Sequence, residues 1–147
     1  MKKTIFIFLF SFFTCYLDAQ VTEYISYQSA SVKKNNAGEF PIPNEWVNKK
    51  MKILLDLDNK RLQLFSTDLL GQNADMLEQE IQLYKLKAKL KNSGGRGFAL
   101  FTGTDKSGEK CIVSFKIIKK IDDIYDGMLQ IEYQDTQSAY KIRKVQT

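Results

Sequence analysis

From Thr22 onward, apolar and polar residues alternate along the chain, with turn chemistry about every ten residues. A period of two predicts an antiparallel β protein. Met51, Ile53, Leu55 and Leu57 share one face, Lys52, Asp56 and Asp58 the other, and Leu54 breaks the pattern. Asp58-Asn59-Lys60 predicts a tight turn into residues 61–66, where Leu62 and Leu64 oppose Arg61 and Gln63. A second hairpin joins residues 98–104 and 110–119 through Asp105-Lys106-Ser107-Gly108-Glu109, whose glycine can adopt the positive φ of the turn. A third joins residues 128–133 and 140–145 across the loop 134–138. Residues 22–31 read as an opening strand, followed by a polar connection through Lys33, Asn35, Asn36 and Gly38. Pro41 and Pro43 keep the stretch before Trp46 extended.

Residues 75–91 carry two patterns. Asp75 and Glu78 resemble a capping box, and Leu77, Ile81, Tyr84 and Ala88 recur at helical spacing. Against this, Tyr84, Leu86, Ala88 and Leu90 alternate with Lys85, Lys87, Lys89 and Lys91 between two hairpins. The context favours a strand from about Glu80 to Lys91, with 67–76 as a loop that includes at most one helical turn. The sum is an all-β fold of about eight antiparallel strands in a meander, closing as a small lipocalin-like barrel or packing as a two-sheet sandwich. No linker or low-complexity stretch divides it.

The N-terminus has a different pattern. Lys2 and Lys3 precede an apolar run from Ile5 to Leu17, and Ala19 stands before Gln20, the three-part pattern of a signal peptide. The run is shorter than the roughly 20 residues that span a bilayer. Residues 1–19 are therefore expected to be removed, leaving residues 20–147 as one secreted or periplasmic domain with no transmembrane anchor. Lipid attachment at Cys15 is a minor alternative. The remaining 128 residues suffice for one core, with 20 basic and 16 acidic side chains and a net charge of +4. Cys111 is then the only cysteine, so no intrachain disulfide forms. It alternates with Val113, Phe115 and Ile117 and reads as a buried apolar residue rather than a reactive thiol. Histidine is absent, which removes the usual base of Ser-His-Asp and Cys-His catalysis and the commonest ligand of catalytic zinc.

The candidate site is the row Lys85, Lys87, Lys89 and Lys91, with Arg96 nearby. On a regular strand alternate side chains stand about 6.6 Å apart and would track an acidic polymer. The plainer reading is an exposed strand face or edge that lysines protect from aggregation. Asp122, Asp123 and Asp126 lack the spacing of a calcium loop and read as a solvated turn. Trp46 with Phe40 and Tyr24 reads either as a sugar-stacking platform or, for Trp46, as a plug at one end of the core. No cofactor, metal or specific nucleic acid is implied.

The order Trp46, Ile53-Leu54-Leu55-Asp56, Leu62-Gln63-Leu64, residues 105–113 and Ile131-Glu132-Tyr133-Gln134-Asp135 with Tyr140-Lys141-Ile142 resembles small secreted β-meander proteins of Bacteroidetes-type bacteria. The resemblance implies a fold and a compartment and no active site. The leading expectation is a non-enzymatic module that binds an envelope or extracellular partner. A small barrel holding an apolar ligand is the second, and a histidine-free enzyme using paired carboxylates the third.

Overall fold

The computed structural model describes residues 21–67, 75–91, 97–121 and 124–145, with backbone alone for 88–91, 118–121 and 124–126. The segment proposed as a signal peptide, Arg96, Asp122 and Asp123 lie outside the described residues. Eight strands follow one another: β1 (Val21–Lys33), β2 (Val47–Asp56), β3 (Arg61–Ser66), β4 (Met76–Lys91), β5 (Gly97–Asp105), β6 (Lys110–Ile121), β7 (Ile124–Glu132) and β8 (Thr136–Lys144). Each pairs antiparallel with the next, and β8 returns to β1, so the sheet is a closed barrel and the sandwich alternative is set aside.

The alternation dictates the packing. Met51, Ile53, Leu62, Leu64, Ile81, Val113, Leu129 and Ile131 point inward and are buried, filling the middle of the barrel with branched and straight aliphatic chains. Cys111 joins this core. Asp56, expected on the outer face, is buried, because its carboxylate turns back on its own hairpin: the Asn59 backbone N–H and side-chain amide donate to it at 3.0 and 2.8 Å. The segment 75–91 is strand, and it begins at Met76 rather than near Glu80.

Two turns share one construction. In Asp105-Lys106-Ser107-Gly108-Glu109, the Asp105 carboxylate accepts from the backbone N–H of Ser107 and Glu109, and Gly108 takes φ +86°. In Asn35-Asn36-Ala37-Gly38-Glu39, the Asn35 amide oxygen accepts from Ala37 and Glu39, both at 3.0 Å, and Gly38 takes φ +77°. Each is an Asx-type turn closed by a left-handed glycine.

The barrel has unequal walls. Pairing of β3 with β4 ends at Arg61 and Gln82, whereas β4 continues beside β5 to Lys91. Likewise, β6 and β7 pair beyond the start of β5, out to Ile121 and Ile124. The β4–β7 side thus stands taller than β1–β3 at the end that holds the β2–β3 turn.

Candidate functional site

At the short-walled end the packed core stops and an apolar cavity of about 260 Å³ opens. Tyr24 of β1, Leu55 of β2, Ala99 and Phe101 of β5, and Phe115 and Ile117 of β6 line it, with Leu57 and Leu86 at its rim. Tyr24 lies against Phe115, ring centroids 5.5 Å apart, and burial raises its pKa, so the phenol stays neutral. Leu57 and Leu86 are 38% and 45% exposed, which leaves apolar surface facing water at this end of the barrel.

Leu86 reaches the rim through a β-bulge. Leu83 pairs with Gly103, but the next pair is Lys85 with Thr102, leaving Tyr84 as the extra residue. The inward face therefore moves from odd to even positions, and Leu86 pairs with Phe101 on the inside. A second shift between Leu86 and Ala88 brings Lys89 opposite Ala99 and Lys91 opposite Gly97. The four lysines thus occupy one strand, but two changes of register interrupt their alternate spacing. Lys85 and Lys87 are exposed, and the side chains of Lys89 and Lys91 lie outside the described residues.

Where β4 outruns β3, a smaller cavity of about 240 Å³ adjoins the same rim. It shares Leu57, Leu86 and Phe101 with the mouth and adds Lys60, Leu83, Tyr84 and Lys85. Lys60, in the β2–β3 turn, has φ +50°, the one positive φ outside glycine among the described residues. Its carbonyl accepts from the Leu83 backbone N–H at 2.7 Å and the Gln82 side-chain amide at 3.0 Å, which joins the turn to β4.

At the opposite end polar side chains are joined by hydrogen bonds. Gln79 donates to the Tyr133 hydroxyl, which also hydrogen-bonds the Asp105 carboxylate. Burial, then the neighbouring Cys111 and Asp105, pushes the Tyr133 phenol well up. Burial also pushes the Cys111 thiol up to about 11, with Asp105 and Glu109 adding to it, which makes Cys111 a poor nucleophile.

Two wider hollows lie on the outer surface. One, of about 800 Å³, lies beside Cys111 and Tyr133 and is bordered by Lys34, Glu109, Lys110 and Glu132, a balanced set of charges that selects no ligand sign. The other, of about 550 Å³, runs between the β5–β7 outer face and Phe40, Pro41, Ile42, Pro43 and Trp46. Trp46 is therefore not a core plug: the Lys141 ammonium sits 4.5 Å from its ring centroid. Tyr24 is inside the barrel, so it shares no platform with Phe40 and Trp46.

Sequence reasoning passed over Tyr24, Leu57, Leu86 and Phe101 as a set, and marked Lys60 only as a turn residue. The adjacent apolar pair Leu83-Tyr84, where the apolar parity changes, was the available signal for the bulge. Among the described residues, no group of His, Cys, Asp and Glu is arranged to hold a metal, and no helix is long and apolar enough to cross a membrane. In comparison with known proteins, the chain matches no family model, no curated sequence and no solved structure.

Proposed function

We propose that this protein is a secreted, non-enzymatic binding module that takes an apolar ligand into the open mouth of its barrel. The observation that carries the reading is the asymmetry of the two ends. At one end Gln79, Tyr133 and Asp105 are joined by hydrogen bonds, and the other leaves Leu57 and Leu86 part-exposed around an apolar cavity. The packed middle confines the ligand to the mouth, so the fitting ligand is a short or partly inserted apolar chain. Its cavity lies just below the roughly 300–1,000 Å³ typical of small-molecule sites. The residues lining the mouth include no carboxylate, which favours binding over acid–base chemistry there.

The test is thermal unfolding with decanol. At about 100 times its dissociation constant a ligand stabilises the fold by about 2.7 kcal/mol, a shift of several degrees. That shift should vanish in Leu57→Ser/Leu86→Ser, at two part-exposed sites, in a variant whose unliganded melting shows that it still folds. No shift with decanol, or an equal shift in the variant, overturns the reading.

A further inference from the structure

We infer that the ligand of the mouth is an amphiphile with an anionic head, its chain in the barrel and its head in the side window between Lys60 and Lys85; this rests on the reading of the mouth as a binding site. The window exists because β4 continues past the last residue of β3 that pairs with it. It shares Leu57, Leu86 and Phe101 with the mouth, so the two cavities adjoin across apolar side chains. Two lysines and the Tyr84 ring border it, and no carboxylate does.

Neither lysine has an ion-pair partner among the described residues, whereas Lys49, Lys52 and Lys106 pair with Glu78, Asp75 and Glu80. An apolar chain that ends beside two unneutralised ammonium groups is matched by one negative charge, through charge-assisted hydrogen bonds. Lys60 gives a second, independent indication. A lysine with φ +50° occupies a backbone conformation that asparagine or glycine adopts more readily, and such outliers gather where a side chain has a task. In this turn the outlier borders the window.

The experiment compares decanoate with decanol by titration calorimetry on residues 20–147. Decanoate should bind about tenfold more tightly, an advantage that shrinks as salt is added. Lys60→Gly/Lys85→Ser should abolish the advantage while leaving decanol binding unchanged, and Lys33→Ser/Lys110→Ser, which removes the same charge at the far end, should preserve it. Equal affinity for acid and alcohol, or a loss shared by both double variants, overturns the anionic head and leaves the mouth reading standing. Failure to bind either ligand overturns both. Vesicles containing phosphatidylglycerol, against phosphatidylcholine alone, separate the sources of such a ligand. Retention on the anionic vesicles, lost in Lys60→Gly/Lys85→Ser, supports an amphiphile drawn from a bilayer, and decanoate binding without retention supports one free in solution.

Discussion

Lys60 shows how one residue can matter more than the sequence pattern announces. The tight turn at Asp58-Asn59-Lys60 was legible, because Asp and Asn favour turns, but nothing in the pattern marks which residue goes left-handed. The structure gives that position to Lys60 at φ +50°. A left-handed L-residue costs about 1–2 kcal/mol, and glycine loses about 0.5–1 kcal/mol in extra chain entropy on folding. Lys60→Gly should therefore stabilise the protein by about 0.5–1 kcal/mol, seen as a higher urea midpoint with unchanged slope. A lower midpoint would mean that the lysine side chain itself holds the turn. Asp56 was misread for a related reason. Alternation assigns it outward, but hydrogen bonds from Asn59 bury its carboxylate and hold it below its ordinary pKa.

At the scale of elements, the turns at Asn35 and Asp105 do the same work with different side chains, and pH distinguishes them. The Ser107 hydroxyl and the Glu109 and Ser107 backbone N–H groups hold the Asp105 carboxyl below its ordinary value. Its contribution is complete above the unfolded pKa of about 3.9 and is lost as pH falls through the depressed folded value. Asp105→Asn, which borrows the chemistry of Asn35, should leave the melting midpoint at pH 7 nearly unchanged and flatten its decline below about pH 4. An unaltered acid decline would assign that decline to other carboxylates. The three hairpins were readable from alternation and turn residues, and the likeness of Asn-Asn-Ala-Gly-Glu to Asp-Lys-Ser-Gly-Glu was there to be seen. The mouth was not, because it depends on a bulge that exchanges inner and outer positions within β4, and a strict period of two carries the wrong face past Leu83.

For the whole molecule, closure is the step that sequence could least reveal. Every pairing but one joins consecutive strands, whereas β1 with β8 brings together residues such as Gln28 and Lys141, 113 positions apart. Long-range closure is slow to reward its entropy cost, so β8 is expected to dock after the local hairpins. Ile142→Ala, at a buried β8 position, should cost about 2–5 kcal/mol and act mainly by speeding unfolding. Val113→Ala, in the β5–β6 hairpin, should slow folding. Denaturant-dependent rates decide, and a folding rate equally reduced by Ile142→Ala would put closure within the transition state. The unequal walls have one more consequence. Among the described residues no strand pairs with β4 beyond Gln82 on its β3 side, and past the Leu83 N–H bond to the Lys60 carbonyl none of them meets the β4 backbone there, from Tyr84 to Lys91. Four of those eight residues are lysine. Lysines along such a margin repel their counterparts on a second copy, so strand-to-strand addition and loss of solubility at high concentration are the expected outcome when those charges are masked.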